Sequence, residues 1–182
     1  MPCFIFSAIT GILTGALVFA FKIAAGFVVN LSADIYSFVR TNPIWLPVLL
    51  LGAAGLGLAV AFLLRAAPEC RGGGIPTSIA IVRGLIEFRW LKSLLVLFSS
   101  ALLSFLAGVP LSNDGPGVQM GTAVGRGTVR LLGKKNMAWD RYIMTGGACA
   151  GFAASIGAPL TGLFFAFEEA HRRFSPMIFM SA

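Results

Sequence analysis

The chain has 182 residues, of which 57% are hydrophobic and only 12% are charged. A soluble domain of this length needs a polar surface that this composition does not supply, so the sequence predicts a protein embedded in a lipid bilayer. The formal net charge of +7 would suit nucleic-acid binding. However, the basic residues lie at the edges of apolar runs rather than in one cluster, which argues against that class.

The three cysteines, Cys3, Cys70 and Cys149, are widely spaced and form no CxxC pair. This pattern predicts neither a disulfide framework nor a metal site, and we expect the cysteines to be small buried residues. The sequence also shows no P-loop, metal-ligand cluster or activated nucleophile, so it predicts neither an enzyme nor a cofactor.

Long apolar runs and turn residues divide the chain into helices. A first span is predicted at 4–29, interrupted only by Lys22, and 30–42 is interpreted as a loop or interfacial turn that closes before Pro43. A second span is predicted at 44–66. Further helices, several of them broken by Gly and Pro, are predicted at 77–84, 88–111, 115–132, 138–156 and 158–173. The chain ends at Ala182, inside what resembles another span. The predicted fold is an all-α transmembrane bundle of short, tilted and broken helices.

Basic residues predict the orientation of these spans. The stretches 65–92 and 126–141 each contain five basic residues, and two more arginines close the last complete span. Because Lys and Arg accumulate on the cytoplasmic side, both stretches, the N-terminus and 168–175 are predicted to face the cytoplasm.

The first motif, GGGIPT at 72–77, breaks the chain between two apolar runs. Glycines allow positive φ and close approach of a ligand, and proline fits the first turn of a helix. Since a helix N-terminus presents free N–H groups and partial positive charge, the motif is a candidate anion site. A plain helix break between two spans is an equally open interpretation.

The second motif, NDGPGVQ at 113–119, places Gly-Pro at a helix start directly after Asp114. A carboxylate deep in apolar sequence is costly and indicates function, although aspartate can also be a simple helix cap. A carboxylate and a transported anion would compete for the same helix N-terminus, and protonation of Asp114 would release it. This competition is a physical route to coupling anion and proton movement. The glycines lack the βαβ context of a dinucleotide site.

The third motif, GFAASIGAPL at 151–160, is rich in small residues that favour tight helix packing. Glu168 and Glu169 follow at the predicted cytoplasmic end of the same span. Ion pairs of these two acids with Arg172 and Arg173 are one interpretation, because the spacing is i,i+4. A proton-accepting role for one of the acids is the other.

Taken in this order, the motifs resemble the CLC family of chloride channels and anion/proton antiporters. The family pattern G-S-G-I-P is similar to GGGIP at 72–76, and G-R-E-G-P-x-V-Q is similar to SNDGPGVQ at 112–119. The pattern G-x-A-A-x-F-x-A-P-L-x-G, followed by a Glu-Glu pair, is similar to GFAASIGAPLTG at 151–162 with EE at 168–169. The resemblance covers essentially the whole chain.

The resemblance implies a homodimer in a lipid membrane, with one pathway for small anions and protons in each subunit. Each pathway is built from two inverted halves, and 1–182 corresponds to the N-terminal half. The resemblance assigns the gating carboxylate to Asp114 and internal proton transfer to Glu169. The implied anion-binding residues are Gly73, Gly74, Ile75, Pro76, Asn113, Gly115 and Pro116. We expect a location in the bacterial inner membrane.

Three departures from the family pattern bear on the transported ion. Gly73 stands where the family has a serine whose hydroxyl contacts chloride, and Asn113 stands where arginine is usual. Asp114 is one methylene shorter than the usual glutamate. The first two departures resemble the fluoride-exporting bacterial branch, so we expect fluoride to be slightly favoured over chloride.

The predicted function is anion/H⁺ antiport. A passive, gated chloride channel of the same fold stays open as an alternative, because channels can retain both acids. A non-transporting truncated fragment is a further alternative, because no counterpart of the family's second half occurs in these residues. We also expect the helix starts at Pro76 and Gly115 to converge near the bilayer midplane. Glu169 is expected to face the protein interior, and Glu168 to contact the basic edge at Arg172.

Overall fold

The computed structural model of the chain describes residues 2–87, 89–109, 111–131 and 137–171. Within these ranges the secondary structure is entirely helical, which confirms the predicted fold class. The α-helices are α1 (Pro2–Thr41), α2 (Leu46–Ala66), α3 (Ile75–Val82), α4 (Trp90–Leu106), α5 (Asp114–Leu131), α6 (Met137–Ile156) and α7 (Pro159–Phe165). Short 3₁₀ turns at Pro43–Trp45 and Pro68–Cys70 flank α2, and a π-helical segment, Ala166–His171, continues α7.

Helix α1 runs without a break for 40 residues. The predicted loop or turn at 30–42 is therefore wrong, because these residues continue the helix as far as Thr41. Polar residues such as Asn30 and Asp34 interrupt the apolar run, but none of them breaks a helix. The helix ends only where Pro43 restricts the residue before it.

The other predicted helices lie within a few residues of the observed ones. The exception is the predicted span at 158–173, which is divided between α7 and the π-helical segment. The last two residues of that span, and the predicted further span near Ala182, lie outside the described residues.

Two segments, Ile5–Thr41 and Pro43–Ala66, are long and apolar enough to cross a membrane. None of the residues of α2 is buried, and large side chains such as Leu51, Leu58 and Phe62 are about three-quarters exposed. An exposed apolar surface of this extent is suited to contact with lipid.

Helix α5 lies at the centre of the bundle and packs most extensively against α6. Its glycines at positions 117, 121 and 125 are spaced four residues apart and face the backbone of α6. A Cβ atom added at Gly121 would lie 2.8 Å from the carbonyl carbon of Gly147, and one at Gly125 would lie 2.8 Å from the carbonyl oxygen of Ile143. Small residues therefore allow the two backbones to approach closely, as the sequence predicts.

Polar contacts tie α1 to the centre of the bundle. The hydroxyls of Thr10 and Thr128 form a buried hydrogen bond of 2.8 Å between α1 and α5. The Lys22 ammonium donates to the carbonyl oxygen of Ser155 (3.2 Å), near the C-terminal end of α6. A cation is favourable there because the last carbonyls of a helix carry partial negative charge.

Candidate functional site

The start of α3 is set by a tight turn in the first motif. Gly74 has φ 69° and ψ −71°, a conformation that glycine adopts without steric cost. The Ile75 amide donates to the Gly73 carbonyl at 2.7 Å, so these residues form a γ-turn. The amide and hydroxyl of Ser78 then donate to the Gly74 carbonyl at 2.9 and 2.8 Å. The turn fixes the direction in which α3 leaves the motif.

The start of α5 is formed by the second motif. The Gly117 amide donates to the Asn113 carbonyl at 3.0 Å, which closes the first turn of the helix. Pro116 lacks an N–H group and loses no bond in this position. Among the described residues, no hydrogen-bond acceptor contacts the amide of Gly115. That N–H group is therefore available to a ligand.

The two helix starts are in direct contact. A Cβ atom added at Gly74 would lie 2.5 Å from the Cα and the carbonyl carbon of Gly115. In the opposite direction, a Cβ atom at Gly115 would lie 3.4 Å from the carbonyl oxygen of Gly73. The two helix N-termini therefore converge as expected, and their position near the bilayer midplane stays a prediction. Position 74 requires glycine for two reasons, the positive φ of the residue and its close approach to the backbone of Gly115.

A cavity of about 540 Å³ opens beside the two helix starts, and we call it the motif cavity. Side chains of α4, including Ser100 and Ser104, form part of its wall. The motif residues that line it are Gly72, Gly73, Gly74, Ile75, Asp114, Gly115, Pro116 and Gln119. Because α3 and α5 both begin at this cavity, the partial positive charges of their N-termini favour an anion within it.

Asp114 is held by a residue that the sequence analysis did not single out. The Ser112 hydroxyl donates to Asp114 Oδ2 at 2.7 Å, and the Asp114 amide donates to Ser112 Oγ at 3.2 Å. The carboxylate is half-buried and lines the motif cavity. Ser112 stands where the family pattern has its first glycine. This difference from the pattern is the sequence feature that could have identified Ser112 as a site residue.

Two amide side chains of the second motif each keep a buried acceptor oxygen that is unpaired within the described residues. Asn113 Oδ1 and Gln119 Oε1 have no hydrogen-bond partner in the described part of the chain. Gln119 is only 1% exposed, and its Nε2 donates to the carbonyl of Glu69 at 3.2 Å. Buried acceptors are normally paired, so these two oxygens are suited to bind water rather than an anion.

The structure does not bring Glu169 to the motif cavity. Glu168 and Glu169 lie on the π-helical segment, and both are exposed in this chain. The Arg83 guanidinium donates to the backbone carbonyl of Glu169 at 3.3 Å, not to its carboxylate. The expected interior position of Glu169 is therefore wrong for this chain. The expected contact of Glu168 with Arg172 lies outside the described residues.

The cysteine expectation is confirmed for two residues, because Cys70 and Cys149 are both buried and carry free thiols. The side chain of Cys3 lies outside the described part. Within that part, no group of three or more His, Cys, Asp or Glu side chains is placed to hold a metal ion.

In many secondary transporters, the substrate site is formed by broken helices whose N-termini point at it. The family model described as voltage gated chloride channel matches residues 55–182. The chain therefore belongs to the CLC family, whose members are integral membrane proteins.

Curated relatives cover nearly all of the chain. It is 34% identical over 173 residues to the H(+)/Cl(-) exchange transporter ClcA of Vibrio cholerae, an alignment that covers 92% of the chain and 36% of that relative. ClcA of Cronobacter sakazakii is 33% identical over 171 residues, with 92% and 36% covered. The chain thus spans just over a third of the length of these relatives.

A solved structure has the same fold. The X-ray structure of a slow cyanobacterial Cl-/H+ antiporter superposes with a TM-score of 0.83 at 25% sequence identity. The alignment covers 100% of this chain and 44% of that one.

Proposed function

We propose that the chain forms the N-terminal, anion-binding half of an anion/H⁺ exchange transporter, the first of two inverted halves. The observation that carries the proposal is the contact between the starts of α3 and α5 at Gly74 and Gly115, beside the carboxylate of Asp114. The names of the relatives support it, because ClcA and the cyanobacterial antiporter both exchange chloride for protons.

Anion binding in this proposal relies on backbone groups. Each helix N-terminus contributes about half an elementary positive charge, and the Gly115 amide is free to donate. Pro76 and Pro116 cannot donate, so their role is to open the helices in the required geometry. The Ile75 amide is occupied by the γ-turn, so an anion at that position would have to compete with the Gly73 carbonyl.

Proton coupling in this proposal begins at Asp114. The ionised carboxylate and the transported anion are both negative, so they compete for the positive end of α5. The Ser112 hydroxyl holds the carboxylate in its present position at 2.7 Å, and that bond must break before the side chain can move. Protonation removes the charge and so weakens the competition.

Internal proton transfer is proposed for Glu169. Its π-helical segment is an unusual conformation that often occurs at functional sites. In the complete protein, Glu169→Gln should abolish proton movement while anion movement continues. Glu168→Gln is the matched control, because the two residues are neighbours of equal charge and both are exposed. Equal loss of proton movement in both variants would contradict the assignment.

Two ions are candidates for exchange. Fluoride is favoured by Gly73, which supplies no hydroxyl at the site, because a smaller and more strongly hydrated ion demands the stronger donors of backbone amides. Chloride is favoured by the relatives, which are named for it. We propose fluoride over chloride. Efflux from liposomes loaded with each ion, followed with ion-selective electrodes, tests this preference, and faster chloride efflux would overturn it.

A passive, gated chloride channel is the second candidate function, favoured by the description of the matching family. The two functions differ in one measurable quantity. An exchanger moves protons against their gradient when it is driven by an anion gradient, whereas a channel does not.

The expected homodimer and bacterial inner-membrane location are part of the same proposal, and chemical cross-linking in membranes tests the dimer.

A further inference from the structure

A second cavity, of about 530 Å³, lies between the end of α2, the start of α4 and the end of α5, and we call it the basic cavity. It shares no lining residue with the motif cavity. Its lining residues are Ala66, Pro68, Glu69, Glu87, Arg89, Lys92, Arg126 and Arg130. Its volume is within the range of about 300–1,000 Å³ that small-molecule sites occupy.

Positive charge exceeds negative charge in this lining, with four basic side chains against two carboxylates. One of these carboxylates, Glu69, accepts a hydrogen bond from the Ser93 hydroxyl at 2.7 Å. Asp140 adds a further negative charge near Arg126 and Arg130. Among the described residues, none of the four basic side chains donates a hydrogen bond to a protein group. Their donors are therefore available to a bound anion.

The start of α4 adds to this positive potential. No acidic residue lies in its first turn and no side chain caps it. Instead, Arg89 occupies the cap position and Lys92 lies in the first turn. Cations at the positive end of a helix are unfavourable, and an anion bound there would offset both the helix charge and the lysine. The guanidinium of Arg89 matches the oxygens of a phosphate group in geometry.

The position of the basic cavity indicates where such an anion would come from. Two apolar helices meet it, α2 at its C-terminal end and α4 at its start. Trp90, a residue type that concentrates at membrane surfaces, packs against Gly127 next to it. Basic pockets between membrane helices bind the phosphate of lipid headgroups. We propose that the basic cavity binds a phosphate group, presented by an anionic lipid headgroup or as free phosphate. This proposal is independent of anion exchange.

The test uses the purified chain in detergent. Phosphatidylglycerol is the anionic probe, phosphatidylcholine is its net-neutral control, and native mass spectrometry counts the lipids bound to each chain. Inorganic phosphate is titrated separately by calorimetry. The cavity variant combines Arg89→Gln with Lys92→Gln. The matched control combines Arg65→Gln with Arg141→Gln, because it removes the same charge from exposed side chains outside the cavity.

We expect the cavity variant to bind phosphatidylglycerol about thirtyfold more weakly, because it removes two basic groups and each contributes roughly 1 kcal/mol near a membrane surface. The control variant and the charge-keeping pair Arg89→Lys with Lys92→Arg should bind like the unmodified chain. Binding of inorganic phosphate alone, with the same dependence on the cavity variant, would identify free phosphate as the ligand. Equal weakening in the cavity and control variants, or no binding of either probe, would overturn the proposal.

Discussion

The contact between α5 and α6 permits a quantitative test with a single methyl group. In Gly121→Ala, the new Cβ atom would lie 2.8 Å from the carbonyl carbon of Gly147, whereas ordinary contacts are 3.4–4 Å. The two nearest atoms, the carbonyl oxygen and carbon of Gly147, belong to the backbone of α6, so rotation of a side chain cannot relieve the contact. The two helices must therefore separate by roughly 1 Å, which also loosens the packing of the neighbouring glycines.

The expected cost follows from two opposing terms. Alanine in a helix is favoured over glycine by about 1 kcal/mol, but overpacking costs about 1–3 kcal/mol and separation of the helices adds to it. We expect a net loss of about 2 kcal/mol in the free energy of unfolding. For a chain of this length, that loss lowers Tm by about 4–8 °C.

Thermal unfolding in detergent, followed by circular dichroism at the helix band, measures this change. The matched control is Gly26→Ala in α1, where an added Cβ atom has nothing within 4 Å. The control should leave Tm unchanged or raise it. If Gly121→Ala unfolds at or above the temperature of the control, the close backbone contact between α5 and α6 is refuted.

Two further predictions concern polar contacts. Lys22→Met removes the donor to the carbonyls of Ala154 and Ser155, so we expect a loss of about 1 kcal/mol in unfolding free energy, whereas Lys22→Arg should retain most of it. A Tm for Lys22→Met that equals that of the unmodified chain would contradict the contact. Ser112→Ala releases the carboxylate of Asp114, so competition should weaken anion binding to the complete protein by about fivefold, measured by calorimetry. Ser112→Thr should bind normally, and unchanged affinity in the alanine variant would refute the role of the hydroxyl.

The helix starts were predictable from the sequence because their causes are local. Proline restricts φ and lacks a donor, and glycine allows the tight turn before it, so the starts of α3 and α5 fall within two residues of prediction. The end of α1 was not predicted, because the hydrophobic pattern stops near Asn30 while the helix continues. Hydrophobicity indicates the environment that a helix contacts, but it does not determine where the helix ends. Here the helix ends just before a residue that cannot continue the hydrogen-bond pattern, Pro43.

The candidate site was predictable only in part. Two Gly-Pro helix starts predict convergence because both present the same end of a helix. The hydrogen bond between Ser112 and Asp114 depends on side-chain rotamers, and the contact that excludes a Cβ atom at Gly74 depends on how closely the two helix starts approach each other. Neither contact can be predicted from the local sequence pattern. The exposure of Glu169 was not predicted either, because the adjacency of Glu168 and Glu169 in the sequence does not determine which side of the segment the bundle covers.

Proton-coupled anion flux in the Asp114→Asn variant of the complete protein tests the central claim most directly. Asparagine keeps the size of the side chain but cannot ionise, so it neither competes with the anion as a charge nor carries a proton. In liposomes with an anion gradient, a pH electrode should detect little or no proton uptake by this variant, while the ion-selective electrode still detects anion efflux. Proton uptake equal to that of the unmodified protein would contradict the assignment of Asp114 as the gate.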